Sequence, residues 1–90
     1  MREREVEAYF IEQVKSAGGE VRKVQWVNRR GAPDRLAMLN GAHFVELKRP
    51  GGKPEPHQIR EHERMRKHGL KVYVIDTLEG VDAFIKETTK

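Results

Sequence analysis

Asp34, Glu46 and Lys48 are the side chains whose types and spacing suit chemistry. Asp34 closes the stretch Gly31-Ala32-Pro33-Asp34, and Glu46-Leu47-Lys48 follows a dozen residues later. Between them, Arg35-Leu36-Ala37-Met38-Leu39, then Asn40-Gly41, then Ala42-His43-Phe44-Val45 has the pattern of two strands joined by a two-residue turn. Asn-Gly is the strongest short hairpin signal, because a type I′ turn needs positive φ at both central residues. Such a hairpin folds Asp34, at the start of the first strand, back towards Glu46 and Lys48, near the end of the second. Two carboxylates and an ammonium then share one end of a sheet.

Residues two apart on a strand face the same side, so Glu46 and Lys48 point one way and Val45 and Leu47 the other. A Glu-x-Lys strand on its own reads as a solvated face. Here Pro33-Asp34 precedes it at hairpin distance, and Pro33 fixes φ and biases Ala32 to extended backbone, giving a rigid start to the strand that carries Asp34. The chemistry that suits this cluster is metal-assisted phosphodiester cleavage. Mg²⁺ and Mn²⁺ take hard oxygen ligands from one or two carboxylates and leave the remaining positions to water and substrate phosphate. An ion so held lowers the pKa of a bound water and offsets charge growing on the phosphorus centre. Lys48, a compact point charge on a flexible stem, could stabilise that charge or position the attacking water.

Residues 2 to 17 read as an amphipathic helix, with Val6, Tyr9, Phe10, Val14 and Ala17 three and four apart. Glu3, Glu5, Glu7 and Glu12 are its carboxylates; Glu7 borders the apolar stripe, from where it could lean into the site. Glu20 to Val27 reads as a strand of imperfect alternation, with Trp26 in core or partner-facing packing. Arg49 to Pro56 is a loop by its glycines and prolines. Its Gly51-Gly52-Lys53 is not a phosphate loop, which needs glycine where Leu47 stands and Ser or Thr where Pro54 stands. His57 to His68 is the second helix, entered through prolines and stopped by Gly69. Gln58 in its first turn follows directly on the loop leaving the Glu46 strand, so it could face the same site; His57, His62 and His68 are expected at the surface. Lys71 to Ile75 reads as a central strand buried on both faces, and a right-handed crossover makes it parallel to the Glu46 strand. A last helix spans Leu78 to Thr88, with Val81, Phe84 and Ile85 inward.

Ninety residues are expected to make a single domain, 1–90, burying roughly 60 to 70% of the unfolded surface. The absence of cysteine excludes a disulfide framework, a thiol nucleophile and a thiolate metal site. Charged residues occupy Met1 to Glu7 where a signal peptide needs an apolar run, and no segment approaches a membrane span, so the expected location is the cytoplasm. Eighteen Lys and Arg against fourteen Asp and Glu give a net charge of +4, a moderate bias towards polyanions. Arg22, Lys23, Arg29, Arg30 and Arg35 gather around the Asp34 motif, and Lys48, Arg49 and Lys53 around the Glu46 motif.

The order helix, three strands, helix, strand, helix, with Asp34 opening one strand and Glu46-Leu47-Lys48 on the next, resembles the PD-(D/E)XK or restriction-endonuclease-like α/β fold, a mixed central sheet flanked by helices. More narrowly, Gly31-Ala32-Pro33-Asp34-Arg35, Val45-Glu46-Leu47-Lys48, Gln58 and Val72-Tyr73-Val74-Ile75 resemble the virus-type replication-repair nuclease domain, VRR-NUC, over nearly the whole chain. The resemblance implies a helix-1 glutamate, best matched by Glu7 with Glu3 and Glu5 close by, joining Asp34 and Glu46 around Mg²⁺ or Mn²⁺, with the Leu47 backbone carbonyl completing the coordination. It implies Lys48 as the catalytic lysine and Gln58 as its supporting glutamine. It further implies action on DNA, and for stand-alone members a homodimer that resolves Holliday junctions, often phage-encoded and so acting in the host cytoplasm.

The reading is a divalent-metal-dependent DNA endonuclease, structure-selective for four-way or branched DNA and dimeric, since two symmetric cuts need two sites. Arg29, Arg30, Arg35, Arg49 and Lys53 are the expected phosphate-gripping residues. The alternative is a non-catalytic nucleic-acid-binding module with the same fold. Both bind DNA in a salt-dependent way, and metal-dependent turnover separates them.

Overall fold

In a computed structural model describing residues 1–90, the elements run α1 (Glu3–Ser16), β1 (Glu20–Lys23), β2 (Arg35–Met38), β3 (Ala42–Leu47), α2 (Pro56–Lys67), β4 (Val72–Ile75) and α3 (Leu78–Thr88). The strands lie side by side in the order β1-β2-β3-β4, antiparallel except for the parallel β3/β4 pair. This is the expected helix–strand order and mixed sheet. Asn40 and Gly41 both take the positive φ their types allow, +52° and +123°. The pairing Met38↔Ala42 leaves three residues in the reversal instead of the expected two. His43 Nε2 donates to the Leu39 carbonyl at 3.0 Å, satisfying an acceptor in the turn.

Alternation along β3 divides the sheet into two unlike faces. Val45 and Leu47 point into the apolar core with Val6, Phe10 and Val14 of α1, Ile75 of β4, and Val81 and Phe84 of α3. Each of these side chains, fully buried, contributes on the order of 2 kcal/mol. On the other face, Phe44 meets Trp26 edge-on at 6.3 Å, and α2 buries Glu61, His62 and Met65. The second helix therefore brings polar groups to the sheet.

Three expectations change. The Lys71–Ile75 run forms an edge strand, not a central one: only β3 pairs with it, and Val74 is 40% exposed. Its apolar density serves the core through Ile75, and Arg66 caps the Val72 carbonyl with two donors at 3.2 and 2.8 Å. β1 ends at Lys23, well short of Val27, although Val24 N–H still bonds the Asp34 carbonyl at 3.0 Å. The chain leaves the sheet there because Trp26 Nε1 donates to Glu61 on α2 at 2.7 Å. His62, expected at the surface, is buried with 1% exposure. No helix is long and apolar enough to cross a membrane.

The segment between β1 and β2 is pinned along α2 at two points. Gly31, with φ +95°, lies so close that a Cβ would stand 2.8 Å from the His57 carbonyl and 2.9 Å from Glu61 Cβ, so only glycine fits without a shift. Glu61 collects Trp26, Arg29 (3.1 Å) and Arg64 (3.0 Å). Burial alone would raise the Glu61 pKa, but donors from Arg64, Trp26 and Arg29 outweigh it and hold the carboxyl below its usual value. A lowered carboxyl pKa contributes stability above the unfolded-state value that is lost as pH falls through the folded-state one. Glu61→Gln should therefore cost about 1–2 kcal/mol at pH 7 in urea unfolding followed by Trp26 fluorescence, with the deficit shrinking as pH falls below 4.5.

Candidate active site

Carrying the β2/β3 register one step past Arg35↔Val45 sets Asp34 opposite Glu46. The two carboxylates come from strands in direct contact, and the hairpin is what brings them together. Asp34 Oδ2 accepts the Leu47 N–H at 3.0 Å, which fixes its rotamer across the strands. Pro33 acts on the neighbouring carbonyl. Val24 bonds the Asp34 carbonyl from the β1 side, so strand alternation turns Pro33 towards β3, opposite Leu47. Proline has no N–H to give to the Leu47 carbonyl, although its own carbonyl remains an acceptor. The Leu47 N–H turns to the Asp34 side chain, and the Leu47 carbonyl lies where a ladder donor is missing.

Glu46, 1% exposed, is held by Lys48 Nζ at 3.2 Å and Gln58 Nε2 at 3.0 Å, both on Oε2. Gln58 is itself locked. Its Oε1 accepts from Lys48 Nζ at 3.2 Å and from the Glu55 N–H at 2.7 Å, while its amide nitrogen donates to Glu46. Flipping the amide would set donor against donor at two contacts and acceptor against acceptor at the third, so its orientation follows from the network. Pro56 opens α2 and places Gln58 in the first turn, where that Glu55 N–H lacks a helical partner.

Two buried atoms here have no hydrogen-bond partner, Glu46 Oε1 and His62 Nε2, 4.0 Å apart. Burial pushes the Glu46 pKa up, the Asp34 carboxylate adds to this, and Lys48 and Gln58 oppose it. Burial lowers the His62 pKa, helped by the charges of Arg66 and Lys48, so the imidazole is neutral at pH 7. The sequence reading missed His62. Its signal was present in the spacing, four residues after Gln58 and so on the same face of α2.

Glu7 reaches the region from the opposite side of the sheet. It pairs with Arg35, and both line an open cleft of about 510 Å³ together with Glu3, Lys23, Gln25 and Asp34. Asp34 is the group common to this cleft and to the Glu46 network. No three acidic or histidine side chains converge tightly enough to hold an ion among themselves; Glu7 meets the Asp34–Glu46 pair through the cleft it shares with Asp34. The oxygen donors present still fit a hard divalent ion: the unpartnered Glu46 Oε1, the Asp34 carboxylate and the Leu47 carbonyl, with water to complete the shell.

Among the expected phosphate-gripping residues, Arg35 departs from its role. It is 8% exposed and engaged by Glu7, because β2 alternation turns it inward alongside Ala37. Arg29 is half exposed but tied to Glu61. Arg30, Arg49 and Lys53 are exposed.

The element order, the mixed sheet and the acidic pair at the end of β3 define a restriction-endonuclease-like α/β domain. A solved structure described as "VRR_NUC domain" superposes with a TM-score of 0.85 at 44% identity, covering 93% of this chain and 94% of that one. The protein "Putative nuclease p44" of Acyrthosiphon pisum secondary endosymbiont phage 1 is 44% identical over 79 residues, 86% of this chain and 85% of its own length. No family model matches the chain. On the strength of these two relatives, the chain belongs to the VRR-NUC family.

A carboxyl whose folded-state pKa is raised contributes stability that is fully present below its unfolded-state pKa and is lost as pH rises through the folded-state one. In EDTA, the unfolding free energy of the wild type relative to Glu46→Gln should fall as pH rises from 4.5 through the raised value, then level off. Paired urea titrations across pH 4 to ~8 check this; a difference that rises with pH would contradict the burial-driven shift.

Proposed function

We propose that this protein is a divalent-metal-dependent deoxyribonuclease that hydrolyses phosphodiester bonds, with Asp34 and Glu46 as metal ligands. The observation that carries the reading is the buried, unpartnered Glu46 Oε1 on the strand opposite Asp34, with the Lys48 ammonium 3.2 Å from the other carboxylate oxygen. The phage relative, named "Putative nuclease p44", supports the same class. Bound Mg²⁺ or Mn²⁺ supplies Lewis-acid polarisation of the phosphate and an acidified water. Asp34, Glu46 and the Leu47 carbonyl would hold it, and Glu7 would join through the shared cleft.

Lys48 sits at the boundary between the buried carboxylate and solvent, where its ammonium can donate to a non-bridging phosphate oxygen or orient the attacking water. Gln58 keeps Lys48 and Glu46 in register by accepting from one and donating to the other. Arg30, Arg49 and Lys53, exposed on the loops that flank the site, are the candidate contacts to the DNA backbone, with Arg29 at its half-exposed position beside them. One site per chain supports a homodimer acting on branched DNA such as a four-way junction, because paired cuts in opposed strands need two sites related by a two-fold. For a phage-encoded enzyme the place of action is the host cytoplasm.

Incubating the protein with four-way junction and linear duplex DNA in Mg²⁺ or Mn²⁺ tests this. Metal-dependent cleavage is expected, favouring the junction, and reduced at least ~100-fold by Asp34→Asn, Glu46→Gln or Lys48→Ala. DNA binding without cleavage of any substrate would favour a non-catalytic binding module instead.

A further inference from the structure

We infer that His62 is a positioning residue for Glu46, its Nε2–H being the donor that the buried Oε1 lacks. The inference rests on the reading of Glu46 as a metal ligand and deepens it. Of the four buried side-chain atoms left without partners in the molecule, Glu46 Oε1 and His62 Nε2 form the one acceptor–donor pair that faces across a short gap, 4.0 Å. Both residues are 1% exposed. A buried polar group left unpaired is unfavourable, so each has reason to find a partner. A small rotation of either side chain closes the gap to a hydrogen bond.

The pairing is compatible with an ion at the same oxygen. A carboxylate oxygen has two lone-pair positions, so Oε1 can accept from the imidazole on one and face the metal with the other. With Gln58 and Lys48 already on Oε2, His62 would complete a set of donors that fixes the carboxylate plane on all sides but one. Asp34 lies on the neighbouring strand, opposite Glu46. Hydrogen bonds of this kind to ligating carboxylates typically change metal affinity 10- to 100-fold. The placement also explains why a polar ring occupies the sheet-facing surface of α2 four residues beyond Gln58, where an apolar side chain would pack without an unpaired nitrogen.

The test compares His62→Leu, which keeps bulk without a donor, with His62→Gln, which keeps an N–H at similar reach. Mn²⁺ binding is measured by calorimetry on DNA-free protein, with thermal unfolding in EDTA alongside. His62→Leu should weaken Mn²⁺ at least ~10-fold while unfolding no earlier than the wild type, and His62→Gln should bind within about threefold of it. Long-range ¹H–¹⁵N spectra should show the proton on Nε2 both in EDTA and at saturating Mg²⁺. Equal Mn²⁺ affinity in His62→Leu, no recovery in His62→Gln, or loss of the Nε2 proton on adding Mg²⁺, the mark of direct ligation, would each overturn the proposal. A wild type that binds no Mn²⁺ would overturn the metal-site reading itself, and the role of His62 with it.

Discussion

The hydrogen bond from the Leu47 N–H to the Asp34 carboxylate is the contact on which the rest of the site depends. It takes the place of a backbone ladder bond on the Leu47 N–H, while Pro33 opposite, having no N–H, leaves the Leu47 carbonyl without its ladder donor. The Asp34 carboxylate that accepts this N–H is thereby held next to Glu46, which faces the same way one residue before Leu47. A residue other than proline at 33 could donate to the Leu47 carbonyl and would occupy the oxygen that proline leaves open. The motif is thus a piece of backbone accounting before it is a piece of catalysis: every group in a buried ladder must find a partner, and the sequence has arranged that the partner is an acid.

Cationic side chains in this molecule do two different jobs, and sequence position does not distinguish them. Arg35 and Arg29 are paired to Glu7 and Glu61, Arg64 also reaches Glu61, and Arg66 closes the Val72 carbonyl. These hold loop, helix and edge strand to one another. Arg30, Arg49 and Lys53 remain exposed near the site. The net charge of +4 overstates the free basic charge near the site; several arginines there are neutralised by ion pairs, and the local field that a polyanion meets comes mainly from the unpaired ones.

The hairpin, the helix order and the Asp34–Glu46–Lys48 convergence were legible in the chain, because Asn-Gly, Pro-Asp and strand alternation are local signals with one geometric consequence each. The parts that were not legible depend on tertiary partners. Nothing local distinguishes Val72–Ile75 at a sheet edge from the same run at its centre: the residues are chosen for the face they bury, and the edge is protected instead by Arg66, six residues away on another element. Arg35 looked like a phosphate contact because it adjoins Asp34, yet alternation puts neighbours on a strand on opposite faces, and its face belongs to Glu7. His62 read as a surface residue, and Glu61 drew no reading at all, because buried polar residues are rare enough that composition argues against them. Their burial follows from what lies opposite: an acid and an indole on the sheet side, each needing polar partners.

That last point explains how ninety residues can hold an unsatisfied carboxylate without unfolding. β3 alternates between two environments. Val45 and Leu47 join an apolar core with α1 and α3 that owes nothing to the chemistry, while Phe44, Glu46 and Lys48 face α2 and its polar surface. Because adjacent residues on one strand serve opposite faces, stability and reactivity are assigned to different side chains only 3.3 Å apart along the backbone. The core on one side can then bear the cost of the group left unpaired on the other. Substitutions at Val45 or Leu47 would act on the folded population, and substitutions at Glu46 or Lys48 on what that population can do, so the two kinds of variant should separate cleanly even though their positions interleave.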